Sequence, residues 1–445
     1  MKSVIKNTIP LSAGLVLHNL LYFLSVIFCV RFFTEETAAK IILLYYAHII
    51  LILLSDFGIL AGNGYGVKYI VNGKNPAEKK KRSGELLVAS TCITVLLVLV
   101  FFSVNRRVQL FPALQDVLVD RTVLLFLFWV LGHNICKFTV VILNSFESGW
   151  GILAGIVPVE IIRLGVLIGA RESEKPFHAI LLWMAVGYLV LLSLQLCFLA
   201  IYLARKNCLP VITRQTWRSC LSIIHKSIFY YLPWLSIFIL VPIANFFLAS
   251  QGNMAAVTLF TVGSQFASPV LLAVVPFNFA LFPYLVRSSG QDVNITNLEF
   301  RRIMIAIIGL MISYTLFIGG FGQAIYMFLA KKEASEVIAV ALILLAGYST
   351  DIFRCITDPI LNMKNREKLV TVAELAKPAS LITVLLVAGR EYGALAGAAG
   401  LALGCLLASL IKAHGIRAIS CYNFYWPMAG SFTAASLLCF FFFSL

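Results

Sequence analysis

Thirteen long apolar segments restrict what this sequence can fold into. Each is close to the roughly 20 residues that an α-helix needs to cross a bilayer. The segments lie at 9–31, 38–63, 84–104, 121–145, 150–170, 178–203, 221–249, 254–285, 303–328, 336–361, 368–389, 392–412 and 425–444. None shows the strict period-two alternation of a transmembrane β-strand. The pattern therefore predicts an all-α polytopic membrane protein.

The composition excludes a soluble protein and gives no support for a disulfide framework or a metal site. Hydrophobic residues make up 60% of the 445 positions and charged residues only 12%, whereas soluble domains carry about 25% charged residues. The ten cysteines are scattered, with no CxxC pair, so we expect neither disulfides, nor a metal, nor a cofactor. The first apolar run is too long for a signal peptide and is interpreted as a membrane helix.

The net charge of +15 is explained by membrane topology. With the N-terminus in the cytoplasm, the cytoplasmic connections hold roughly twice as many Lys and Arg residues as the external ones, as the positive-inside rule requires. The excess of positive charge is thus explained without nucleic acid as a partner. It orients the chain in the lipid bilayer.

The spans divide into two groups of six around a basic connection at 205–220. We expect an N-terminal six-helix lobe at 1–204, a C-terminal six-helix lobe at 221–417 and an extra membrane helix at 418–445, with a central cavity between the lobes. This layout is typical of transporters with repeated halves. The connections are short, and nucleotide-binding and catalytic motifs are absent. A transporter is favoured over an enzyme.

The presence of ionisable residues inside the spans requires an explanation, because inserting each such side chain into the membrane costs about 2.5–3.5 kcal/mol. Four sets stand three or four residues apart, so that each shares one helix face. They are His133 with Lys137, Glu160 with Arg163, Asp351 with Arg354 and Asp358, and Glu374 with Lys377. One interpretation is that acids and bases one turn apart neutralise each other. The other is a polar, cationic cavity for an anionic substrate.

The cavity interpretation assigns two groups of residues. The substrate-binding group consists of four bases with a histidine and two amides: Lys137, Arg163, Arg354, Lys377, His133, Asn19 and Asn245. The second group consists of acids that would pair with the bases or bind a driving ion: Asp56, Glu160, Asp351, Asp358 and Glu374. Protonation of such an acid would couple transport to a proton gradient.

Two short stretches resemble the Wzx-type polysaccharide flippases of the multidrug/oligosaccharidyl-lipid/polysaccharide exporter superfamily. The first is SDFGILAGNGYGVKYI, in which Asp56-Phe57-Gly58 is followed by an Asn and a basic residue. Lys68 stands there in place of the more usual Arg, and Ile59 in place of an aromatic residue. The second is ALFPYLVR at 280–287, which is similar to the end of the family's eighth span.

The resemblance implies two six-helix lobes that form a V and flip a lipid-linked substrate. The substrate would be an undecaprenyl-pyrophosphate-linked oligosaccharide, moved from the cytoplasmic to the periplasmic leaflet of the bacterial inner membrane by ion-coupled alternating access. The process would serve O-antigen or lipopolysaccharide biosynthesis, with polysaccharide polymerase and chain-length proteins as partners. Two alternatives stay open: a multidrug exporter of the same superfamily, with an acid-dominated site, and a membrane enzyme of polysaccharide assembly.

Overall fold

The computed structural model describes most of the chain and divides it into two compact units. The described residues are 2–56, 69–70, 75–108, 112–115, 117–118, 120–145, 154–173, 176–205, 209–212, 219, 222–223, 227, 235, 239–271, 297–332, 335–363, 366–417 and 425–444. The units are Met1–Phe238 and Ile239–Leu445. The predicted linker, 205–220, precedes this division and lies largely outside the described residues.

The described part of the N-terminal unit consists of helices. They are α1 Lys2–Phe32, α2 Glu35–Asp56, α3 Pro76–Val108, α4 Asp120–Ser145, α5 Val157–Ala170 and α6 Pro176–Arg205, with a short 3₁₀ helix at Pro112–Leu114. Helix α3 begins where the Asn75 side chain accepts a hydrogen bond from the Glu78 amide (2.8 Å), which satisfies a free donor of the first turn. Helix α4 packs against α6, and α5 packs against both α1 and α6.

The described part of the C-terminal unit is also helical. Its helices are α7 Leu240–Ser250, α8 Met254–Ala267, α9 Asn297–Ala330, α10 Ser335–Asp351, α11 Arg354–Met363, α12 Glu367–Arg417 and α13 Tyr425–Ser444. Helix α10 lies at the centre of this unit and packs against α8, α9, α12 and α13. The extra C-terminal helix that the sequence predicts is α13, whose Cys439 thiol donates to the Leu342 carbonyl of α10 (3.1 Å).

Helix α12 is a hairpin of two arms that turns at Gly393. Gly393 has φ 47° and ψ −117°, a conformation that favours glycine. The arms run antiparallel, because Gly400 faces Leu381 and Gly404 faces Lys377. Glycines along the contact allow the two backbones to approach closely. The arms correspond to the two spans that the sequence predicts at 368–389 and 392–412.

We expect Gly404→Ala to destabilise the hairpin. A Cβ atom at this position would lie 2.7 Å from the Lys377 Cα and 3.0 Å from its carbonyl oxygen, so the arms would have to separate, at a cost of about 1–3 kcal/mol. Thermal unfolding of the purified protein in detergent measures this cost. The control is Gly309→Ala on α9, where nothing lies within 4 Å of the added atom. An equal effect of the two substitutions would contradict the close packing.

The described helices fit a membrane-spanning protein. Within these residues, nine helices are long and apolar enough to cross a bilayer, and one of them, Lys368–Arg417, holds both arms of α12. Two shorter apolar helices lie at Val16–Phe32 and Leu240–Ser250. The described residues contain no β-strand. The protein is an all-α polytopic membrane protein, as the sequence predicts.

Candidate functional site

Polar and aromatic side chains from five helices form a cluster inside the N-terminal unit. This N-terminal cluster consists of His18 and Tyr22 of α1, Tyr45 and His48 of α2, Trp129, His133 and Lys137 of α4, Glu160 and Arg163 of α5, and Tyr188 of α6. Four of the members are side chains that the spacing of charges singles out in the sequence: His133, Lys137, Glu160 and Arg163.

Arg163 and Glu160 make the central ion pair of this cluster. The guanidinium contacts the Glu160 carboxylate one helical turn away, and its Cζ atom lies 4.4 Å from the ring centroid of Tyr22 and 5.2 Å from that of Tyr45. On the other side of the carboxylate, His18 Nδ1 is 3.2 Å from Glu160 Oε1. The aromatic rings therefore stabilise a guanidinium that is largely removed from solvent.

Histidines and aromatic rings extend the cluster along α4. The His48 ring stacks on Trp129 with centroids 3.9 Å apart, and its centroid is 5.0 Å from that of His133. His133 Nδ1 lies 3.2 Å from the Tyr188 hydroxyl oxygen. Lys137 follows one turn later on the same helix and is half-buried. The described side chains of the cluster include two bases, Lys137 and Arg163, and one carboxylate, Glu160.

A six-residue ion network lies inside the C-terminal unit. It consists of Asp351 at the end of α10, Arg354 and Asp358 of α11, Glu374 and Lys377 of the first arm of α12, and Lys412 of the second arm. The Lys377 ammonium lies 2.7 Å from Asp351 Oδ1 and 2.8 Å from Glu374 Oε2. Arg354 Nη1 is 3.6 Å from Asp351 Oδ2.

The second lysine of the network joins the two arms of the hairpin to α11. The Lys412 ammonium lies 2.7 Å from Asp358 Oδ1 and also contacts the Glu374 carboxylate. The side chains of Lys377, Glu374 and Lys412 are at most 2% exposed. Three acids and three bases make the network formally neutral. Its geometry fits the interpretation in which acids and bases neutralise each other, and the substrate-binding roles of Arg354 and Lys377 stay predictions.

Three predicted site residues remain: Asn19, Asn245 and Asp56. Asn19 is half-buried on α1, and the side chain of Asp56, the last residue of α2, lies outside the description. Asn245 is buried: its amide donates to the Val241 carbonyl (2.9 Å), and its oxygen accepts from the Thr261 hydroxyl (3.1 Å). Asn245 thus joins α7 to α8.

Sequence reasoning missed two features of these sites. Lys412 is the last residue of the predicted span 392–412 and is not among the predicted site residues, but it lies inside α12 and is buried. A signal for it exists in the sequence, since Glu374 and Lys412 are each 19 residues from Gly393 (393 − 374 and 412 − 393), and a hairpin at that glycine brings them together. The aromatic members Tyr45, Trp129 and Tyr188 carry no signal, because apolar spans contain such residues throughout.

Solved structures of transporters share this architecture. The lipid II flippase MurJ in an inward closed conformation has a TM-score of 0.67 and 14% identity, over 99% of this chain and 98% of that chain. An outward-facing MATE family multidrug resistance transporter has a TM-score of 0.59 and 14% identity, over 98% of this chain and 96% of that chain. The chain has the fold of MOP-superfamily transporters.

A third neighbour of the same fold is a MOP-superfamily transporter from Pyrococcus furiosus. It has a TM-score of 0.54 and 14% identity, over 98% of this chain and 96% of that chain. The binding pocket of that transporter has a reversed polarity, which suggests a different function for that protein. No protein-family model and no curated protein matches the chain. Of the Wzx-like stretch at 55–70, positions 57–68 lie outside the described residues, and so does the whole of the stretch at 280–287.

Proposed function

We propose that this protein translocates an undecaprenyl-pyrophosphate-linked oligosaccharide from the cytoplasmic to the periplasmic leaflet by alternating access. The observation that carries the proposal is the buried guanidinium of Arg163, which lies against the rings of Tyr22 and Tyr45 in the N-terminal cluster, in a chain with the fold of the lipid II flippase MurJ. In this proposal the protein lies in the bacterial inner membrane with its N-terminus in the cytoplasm. It delivers the lipid-linked oligosaccharide for O-antigen or lipopolysaccharide assembly and works together with polysaccharide polymerase and chain-length proteins.

The cluster offers the chemistry that a pyrophosphate requires. Arg163 provides a planar guanidinium, suited to two phosphate oxygens at once, and the rings of Tyr22 and Tyr45 hold it in place. Lys137 adds a second positive charge on α4. Arg163 is buried and Lys137 is half-buried, and a contact with an anion is stronger in such surroundings than in water. The prenyl chain of the substrate would remain in the lipid.

A multidrug exporter is the second candidate, because MATE transporters share the fold. An exporter of cationic drugs needs an excess of buried acid. Within the described residues, however, the N-terminal cluster has one carboxylate against two bases, and the C-terminal ion network is neutral. The charge balance therefore supports an anionic substrate. The neighbours in the solved structures are transporters and flippases, which is consistent with a protein that is not an enzyme.

The test is the leaflet distribution of lipid-linked saccharides in cells that lack this gene. We expect complete repeat units to accumulate on the cytoplasmic face, because the head group crosses hydrocarbon too slowly unaided. Sensitivity of the saccharides to an impermeant glycosidase in oriented vesicles measures the distribution. Complete units that reach the periplasm but stay unpolymerised would instead favour a membrane enzyme of polysaccharide assembly. Unchanged lipid intermediates, with drug resistance on overexpression, would favour the drug exporter.

A further inference from the structure

The C-terminal ion network leaves none of its carboxylates without a base. Asp351 contacts Lys377 and Arg354, Glu374 contacts Lys377 and Lys412, and Asp358 contacts Lys412. The pairing is dense because the hairpin of α12 brings both of its lysines to the end of α10 and to α11. The three carboxylates belong to three different stretches of chain, and only the lysines join them.

Each of the two ammonium groups bridges a pair of carboxylates, which is the position that a free cation would take. Lys377 lies between Asp351 and Glu374, at 2.7 and 2.8 Å, and Lys412 lies between Asp358 and Glu374. We propose that Lys377 and Lys412 are the built-in counter-cations of the C-terminal unit, so that its three carboxylates take up no coupling cation from solution.

The physical reason is the balance of charge in a buried place. Adding a metal cation to a neutral network would cost its dehydration without a net attraction to offset it. Removing one ammonium changes this balance, because the network then carries a net negative charge that is buried and uncompensated. A monovalent cation, or a proton, would bind there. A substitution of one lysine should thus convert the network into a cation site.

The experiment compares the thermal stability of purified full-length protein in sodium chloride and in choline chloride at equal ionic strength. We expect the wild type to show no saturable difference between the salts. Lys412→Met should have a lower Tm that sodium raises, by roughly 1.5 °C at ten times the dissociation constant, or that acid raises by protonating a carboxylate. Besides the network itself, the titratable side chains beside it among the described residues are Tyr348 of α10, Cys355 of α11 and Cys405 of α12.

Two further variants control for the loss of packing. Lys412→Arg keeps the charge and should lack the sodium response. Lys412→Met combined with Asp358→Asn removes both members of one pair, restores neutrality and should lack the sodium response as well, with a Tm closer to the wild type. If Lys412→Met alone fails to fold, the wild type and the double variant still test the proposal. Saturable stabilisation by sodium in either of them would overturn the proposal, and so would a folded Lys412→Met without any cation or acid response.

The inference goes beyond the proposed function and can fail separately from it. The stability measurements use no lipid-linked substrate, so their outcome does not depend on what the protein carries. If sodium does not stabilise the wild-type protein and this protein flips no saccharide, only the proposed function is contradicted. Sodium binding by a wild-type protein that does flip saccharides would contradict only the role of the two lysines.

Discussion

Charge reversal at Lys137 is expected to reduce translocation of the lipid-linked oligosaccharide by at least about a hundredfold. Lys137 is half-buried on α4, one turn from His133, in the cluster that we propose to bind the pyrophosphate. At 4 Å and an effective dielectric constant of 20, one attraction between unit charges is worth about 4 kcal/mol. Lys137→Glu replaces that attraction by repulsion. Reconstituted vesicles with a fluorescent lipid-linked saccharide measure the rate.

The Lys137 substitution needs a control for its effect on membrane topology. Lys332→Glu makes the same change of charge at an exposed position in the connection between α9 and α10, and we expect it to transport normally. Lys137→Arg should retain most of the activity, since it keeps the charge. A stably inserted Lys137→Glu protein that transports at the wild-type rate would exclude Lys137 from substrate binding.

The sequence predicts the helices well and their ends less well. Apolar runs reveal which segments cross a membrane, so that the two arms of α12 and the C-terminal helix α13 appear at the predicted places. The predicted span 336–361 is in fact α10 and α11, separated at Ile352 and Phe353. Hydropathy could not show this break, because the residues at it are as apolar as those of the helices beside it.

The candidate sites were predictable along single helices and, within α12, across the hairpin at Gly393. The three-residue spacing anticipates the contacts of Glu160 with Arg163 and of Glu374 with Lys377, because helical geometry alone places them on one face. Contacts between helices depend on how the helices pack. The bridge from Lys377 to Asp351 spans 26 positions, and no local pattern in the chain indicates it.

Substitutions at the Arg163–Glu160 pair distinguish a substrate-binding role of Arg163 from a structural role. Arg163→Met leaves the buried Glu160 with His18 as its contact, and we expect it to lower the free energy of unfolding by about 3–5 kcal/mol. The neutral double variant, Arg163→Met with Glu160→Gln, should regain most of this stability, because removing both charges removes the uncompensated one. Thermal unfolding in detergent measures both variants.

Transport by the stable double variant then decides the role of Arg163. If the guanidinium contacts the pyrophosphate, the double variant folds but fails to translocate the saccharide, because the compensating change at Glu160 restores the fold and supplies no cation. If the pair is structural only, the double variant transports normally, and Arg163 has no place in the substrate site. Arg171→Met is the matched control: this arginine pairs with Glu172 at the surface, where the two side chains are 48% and 78% exposed, and its loss should cost at most about 1 kcal/mol and leave transport unchanged.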